Sequence, residues 1–273
     1  MKRLVFLGAA AALAAAALAC GGGGGGPGQT AAGSRLVLRV DLSRLAAGSD
    51  ETVAIGVVRD AVRQRLDAYG VGPATIERQG ADQLLVTLGH PISEDEAREL
   101  LEKRATLELR QPVRDTDGLI VCEAQGGGRF SVAPEKITYV RSGTGALPAC
   151  VGEGQSGLVQ WEPAVPAGPG GAPPPAVVPI SATVDRTQGP VLVLKFTPEN
   201  GDLIHKITDG LVGLPLGIFL NGELVAGPTL SGPVTTANLA IPGLSLHEAS
   251  IVAAQFNGGE LLVPVTVVSV EAQ

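Results

Sequence analysis

Apolar and polar positions fall into two clear periods in the first third of the chain. In "RLVLRVDL", Leu36, Leu38 and Val40 alternate with Arg35, Val37 and Arg39, which predicts a strand with one buried face. "ETVAIGVVRDAVRQRLDAYG" repeats every three to four residues instead. Ala54, Val57, Val58, Ala61, Val62, Leu66 and Tyr69 share one side, Arg59, Arg63, Gln64 and Asp67 the other, and Gly70 supplies a stop, so a helix is predicted. Two short strands, "ATIERQG" and "QLLVTLG", meet around Gly80-Ala81-Asp82. Ser93 with Glu96 makes a capping box for a second helix, with Glu94 and Asp95 in its first turn and Ala97, Leu100 and Leu101 as its buried stripe. "TLELRQPV" then alternates as a strand. The order strand, helix, strand, strand, helix, strand is a split β-α-β, ferredoxin-like unit complete by about Val113.

From residue 114 to residue 188 the pattern loosens. "QGGGRF", "RSGTGALPACVGEGQSG" and "PAVPAGPGGAPPPAVVP" are rich in turn formers, and only short strand candidates such as "KITYV" interrupt them. This predicts an irregular insertion with a Pro-rich surface loop that Trp161 pegs down. Order returns with the strand "PVLVLKF" and a helix opened by Thr197 and Pro198 that buries Leu203, Ile204 and Ile207. "LPLGIFLNGELVAGP" is two apolar runs around Asn221-Gly222, a strong hairpin signal. Ser245 with Glu248 caps a last helix ending at Asn257-Gly258, and "VPVTVVSV" is the closing strand. The expected class is α+β.

Composition narrows the chemistry. A formal charge of −7 leaves no basic footprint for nucleic acid. With one Trp, two Tyr and five Phe, the core must be built from Val, Leu, Ile and Ala. His90, His205 and His247 are the only histidines, and none has metal-ligand spacing. There is no GxSxG elbow, and the glycine runs lack the Lys and the strand-to-helix setting of a phosphate loop. Arg59, Arg63 and Arg65 offer an anionic-ligand site, for which a solvated helix face is the plainer account. The expected profile is a binding module, with no catalytic residue, cofactor or metal.

The N-terminus changes the setting. Lys2 and Arg3 precede an uncharged run, Leu4 to Ala19, that is shorter than the ~20 residues needed to span a bilayer and has the layout of an export signal. It stops at Cys20, and residues 21–34 form a Gly-rich tether. "ALAC" resembles the lipobox of bacterial lipoproteins, with Ala17 where Leu is usual. This implies a signal over residues 1–19, lipidation of Cys20, and a domain held by lipid at the outer face of the cytoplasmic membrane. In that oxidising compartment Cys122 and Cys150 are expected to form a disulfide, two buried free thiols being the alternative.

Two separated regions resemble a known family. "VVRDAVRQRLDAYGVGPATIERQGADQLLVTLG" with "EDEARELLEKRATLELR", and then "FTPENGDLIHKIT", "GLPLGIFLNGELVAGPTLSGPV" and "SLHEASIVAAQFNGGELLVPV", are similar to the first large extracytoplasmic domain of SecD, an accessory of the bacterial protein-export channel. The resemblance implies a ferredoxin-like βαββαβ base at residues 35–113 and an inserted α+β head at 189–262, with the insertion of 114–188 between them. Residues 263–273 would return to the base as a strand. It further implies a non-enzymatic role at the Sec translocon in contact with unfolded exported polypeptide. The membrane half that couples SecD to the proton gradient is missing from the pattern, so a generic envelope scaffold that keeps the fold without the export role is the competing expectation.

Overall fold

The computed structural model describes residues 33–142, 145–165, 177–187, 189–259 and 261–273. Strand β1 (Ser34–Val40) buries Leu36, Leu38 and Val40 and turns Arg35 and Arg39 outward, as its alternation requires. Helix α1 (Glu51–Tyr69) is capped by Asp50, whose carboxylate accepts from the Thr52 and Val53 amides, and ends at Gly70 with φ 97°. Strands β2 (Ala74–Gln79) and β3 (Gln83–Leu88) form a hairpin. Helix α2 (Glu94–Glu102) opens on the reciprocal Ser93–Glu96 capping box. Strand β4 (Leu107–Pro112) follows.

Six strands come next: β5 (Ile120–Ala124), β6 (Arg129–Val132), β7 (Ile137–Ser142), β8 (Gly145–Gly152), β9 (Gln155–Val159) and β10 (Trp161–Pro163). Then come β11 (Ser181–Asp185), β12 (Val191–Lys195) and α3 (Pro198–Asp209). The hairpin β13 (Gly217–Leu220) and β14 (Glu223–Ala226) precedes β15 (Asn238–Pro242). Helix α4 (Leu246–Asn257) and β16 (Val265–Ala272) complete the order. The α+β class is borne out, and residues Ala31–Gln273 make one compact unit.

The base sheet runs β16-β1-β3-β2, antiparallel throughout. Leu36 stands opposite Val270 on one side and Val86 on the other. The inward faces of these strands pack against Val58, Val62 and Leu66 of α1 and Leu100 and Leu101 of α2. One expectation is corrected here. The strand after α2 does not close the base: β4 leaves it for a sheet ordered β10-β4-β13-β14, where Leu109 pairs with Ile218. Its place at the edge of β1 is filled by β16. Alternation in "TLELRQPV" specifies a strand with one buried face, but it carries no information about which sheet supplies the partner.

A second correction concerns the stretch from residue 114 to residue 188, expected to be irregular. Residues 120–159 hold a five-stranded antiparallel sheet ordered β6-β5-β9-β8-β7. Its glycines are turn and packing residues. Gly127, Gly128 and Gly154 sit at φ 84°, 92° and 72° between strands. Gly157 in β9 lies so close to β5 that a β-carbon there would collide with the Glu123 carbonyl. The Pro-rich run lies mostly outside the described residues.

Helix α4 is apolar nearly all round, the mark of a helix enclosed on both sides. Ala254 belongs to the base core, while Ala249, Val252 and Ala253 belong to the second core, formed with β11, β12, α3 and the hairpin sheet. Asn257 at its end exchanges two hydrogen bonds with the Ala182 backbone, 2.8 and 2.7 Å.

Candidate functional site

The junction of base and second core is organised by Arg65. The helical period of α1 carries it onto the buried stripe beside Val62 and Leu66, where it is 1% exposed. Its Nη1 donates to the carbonyls of Leu100, Leu101 and Lys103 at 3.2, 3.4 and 2.8 Å, and its Nη2 to Gly259 at 3.0 Å. One guanidinium thus serves the carbonyls that α2 leaves without intrahelical partners and reaches the chain just past α4, both being negative helix ends that favour a cation. Position 258 must be glycine because a β-carbon would occupy the Arg65 side chain. Burial first, then nearby Arg104, pull Arg65 from 12.5 down to about 10, so it remains a cation at neutral pH.

Gln255, 3% exposed on α4, donates from Nε2 to the Glu99 carbonyl at 2.6 Å. Arg104 donates to the Leu261 carbonyl at 2.6 Å. Beside these side chains is a cavity of about 280 Å³, walled by Leu107, Val177, Val178 and Phe256 and lined at its polar end by Arg65, Arg104 and Gln255. Among the described residues, the buried side-chain nitrogen and oxygen atoms without a hydrogen-bond partner are Arg65 Nε and Gln255 Oε1, and both side chains line this cavity. The solvated-face reading of the α1 arginines holds for Arg59 and Arg63, which pair with Asp60, and fails for Arg65. Its signal was available: Arg65 adjoins Leu66 on the apolar stripe. Gln255 stands inside "IVAAQF", an apolar run with no other polar residue.

A smaller polar cluster joins the same three helices. Tyr69 Oη donates to Glu96 Oε1 at 3.1 Å and lies 3.1 Å from His247 Nδ1, which is 3.7 Å from Glu96. Burial, then the Glu96 carboxylate, push Tyr69 up to about 12, and the Ser93 backbone and hydroxyl hold Glu96 below the usual carboxylate range. His205 Nδ1 sits 3.0 Å from the Val234 carbonyl, and His90 is exposed in the loop after β3. No group of three metal-ligating side chains occurs among the described residues.

The remaining sequence-predicted positions are dispersed. Asn221 and Gly222 occupy the β13–β14 turn at φ 55° and 82°, and Asn221 is bound to Thr106 through its backbone N–H (3.0 Å) and its Oδ1 (2.9 Å). This ties the hairpin to the segment between α2 and β4. Phe219, one residue from the turn in β13, is covered by Arg110 at 4.2 Å and by Trp161 edge-on at 6.0 Å. Trp161 is therefore a strand residue packed on the hairpin sheet. Cys122 and Cys150, both fully buried, stand at disulfide distance with Cα atoms 6.3 Å apart. Cys20 and the segment before it lie outside the described residues.

Comparison with known proteins fits this division. The family described as protein translocase subunit SecDF, P1 domain, N-terminal, matches residues 56–114, which run from α1 through β4. The family described as SecDF, P1 head subdomain, matches residues 175–263, ending just before β16. Together they cover more than half of the chain. The chain belongs to the SecD P1-domain family. Over 243 residues it is 27% identical to the protein translocase subunit SecDF of Thermus thermophilus, covering 88% of this chain and 30% of that one. To the SecD subunit of Rhodobacter capsulatus it is 24% identical, covering 85% and 37%. The crystal structure of SecDF in its super-membrane-facing form superposes with a TM-score of 0.50 at 21% identity, over 92% of this chain and 32% of that one, and shares the fold. The chain spans about a third of the length of these relatives. The sheet of β5 to β9 falls between the two family matches, in a stretch that neither describes. No helix among the described residues is long and apolar enough to cross a membrane.

Proposed function

We propose that this SecD-type P1 domain is a non-enzymatic accessory of protein export, held by lipid on Cys20 at the outer face of the cytoplasmic membrane, where it contacts unfolded polypeptide or the Sec translocon. The observation that carries this reading is the pair of P1 matches, base and head, in family order on one chain. The cavity at the junction of base and head agrees with a binding role. A lipid on Cys20 would place the domain at the bilayer surface.

Site-specific photo-crosslinking tests this. With the photoreactive residue at Glu223, which is exposed in the hairpin beside Asn221, the expected product is a crosslink to a translocon subunit or to a polypeptide in transit. Depletion should slow secretion. A domain that yields neither crosslink, and whose depletion leaves secretion unchanged, is an envelope scaffold that has kept the fold alone.

A further inference from the structure

A strand at the edge of a sheet shows a row of unpaired N–H and C=O groups, and folded proteins blunt such edges with charge, proline, irregular register or a covering side chain. Most edges here are blunted in one of these ways. Glu102 Oε1 accepts from the Val267 amide of β16 at 2.7 Å, and Asn257 occupies both polar groups of Ala182 in β11. Strands β10 and β15 end in proline, β2 and β6 carry charge, and β14 slips register against β13. Strand β7 differs. It pairs in unbroken register with β8 and closes the order of its sheet, and its run Ile137–Val140 is β-branched or aromatic throughout, with charge entering only at Arg141 next to its end. Resting on the export reading, we propose that β7 is a docking edge for an extended, uncharged stretch of unfolded polypeptide, which joins the five-stranded sheet as a further strand and seats an apolar side chain in the groove beside it.

Register places the groove. Tyr139 stands opposite Pro148, so Tyr139, Pro148 and Ala146 project from one face of the β7–β8 hairpin, and on that face Tyr139 and Ala146 line a groove of about 320 Å³. Its other side is Val225 and Ala226 of β14 with Pro228 and Pro242. The two sides are held close: Tyr139 Oη donates to the Gly227 carbonyl at 3.0 Å, and a β-carbon at Gly227 would collide with Pro148. No charged side chain lines the groove, so a charged group entering it would lose water without gaining a partner, and the side chain it takes is neutral. Its volume, the space of roughly ten waters, suits one or two apolar side chains. A second copy of this chain fits the edge less well. Two β7 edges, each about 20 Å long and about 10 Å thick, would cover roughly 400 Å² in all, against about 1,000 Å² or more in a stable interface.

The test uses the full chain in phospholipid nanodiscs, ¹⁵N-labelled, with an acetylated and amidated hexapeptide of alternating threonine and leucine as the probe. Its expected effect is a saturable shift of the backbone amide signals of β7. Successive N–H groups of a strand point to opposite sides, so only one alternate set can meet β7. Methylating the backbone nitrogens of that set, whether it is the leucines or the threonines, should weaken binding about tenfold or more, the span of two lost hydrogen bonds, while methylating the other set leaves binding nearly unchanged. Ala146→Phe, at an exposed position on the groove, should reduce the leucine peptide to the affinity of its alanine analogue without moving the unfolding midpoint read from Trp161. Equal binding of the two methylated isomers, or unmoved β7 signals at millimolar peptide, overturns the docking edge. A concentration-dependent dimer that Thr138→Lys dissolves also overturns it, by making a second copy the occupant. Crosslinking of exported chain from Glu223 with no hexapeptide bound here would defeat this site alone; failure of both would defeat the export reading as well.

Discussion

Reducing the Cys122–Cys150 bond removes the central tie of the five-stranded sheet, and its cost follows from geometry. The two cysteines lie on β5 and β8, which are not neighbours: β9 runs between them, narrowed by Gly157. The described residues of the sheet bury Ile120, Val132, Ala149 and Val159 besides the two cysteines, too few apolar side chains to hold five short strands unaided. With the cysteines 28 positions apart in sequence, the loop-entropy relation gives about 3.6 kcal/mol of stabilisation at 25 °C. That is a large share of the 5–15 kcal/mol typical of a folded domain. Urea denaturation followed by Trp161 fluorescence, with and without dithiothreitol, should show the midpoint falling by a corresponding amount. The Cys122→Ala, Cys150→Ala double variant should start near the reduced protein and ignore the reductant. If dithiothreitol moves the wild-type unfolding free energy by less than about 1 kcal/mol, or if two free thiols titrate in the native oxidised protein, the reasoning fails.

Two further outcomes concern the helices of the junction. Arg65→Met strands the buried Leu100 and Leu101 carbonyls at about 1–3 kcal/mol each, partly offset by no longer burying a cation. The expected net loss in chemical denaturation is about 2–4 kcal/mol, and an unchanged midpoint would contradict the role given to Arg65. On a Tyr139→Phe background, absorbance at 295 nm should report Tyr69 ionising near pH 12 and moving down in Glu96→Gln. Since the folded pKa is raised, this contribution to stability is whole below the ordinary tyrosine value of about 10 and fades as pH climbs towards 12. A wild-type midpoint near 10 would refute the contact.

How far the sequence predicted this depended on whether the signal was local. Capping boxes at Ser93 and Ser245, the Gly70 stop and the Asn221-Gly222 turn are all written within four residues, and each falls where the pattern placed it. Partner choice is not local. "TLELRQPV" and "VPVTVVSV" both read as strands from their alternation alone; the resemblance implies that the second returns to the base, where it pairs with β1, but that the first pairs with β13 is seen only in the folded chain. The sheet from residue 120 to residue 159 is obscured because its turns and its close β5–β9 contact require glycine, and glycine density reads as irregular structure. Charge alone assigns Arg65 to solvent, although its place on the apolar stripe of α1 points inward. Its partners are main-chain carbonyls, which no side-chain pattern displays.

The exchange of β4 for β16 bears on the order of events during synthesis. Val40 pairs with Val265, so β1 lacks one neighbour until the whole head has been made. Until then Leu36, Leu38 and the open edge of β1 are a template for any other extended chain, the hazard that unpaired edges present in every nascent sheet. Closure of this sheet is also among the most distant contacts the chain makes, and such contacts form slowly. The base sheet of this P1 fold is therefore completed only by its last strand, and β1 must be kept from other partners while the chain leaves the ribosome N-terminus first.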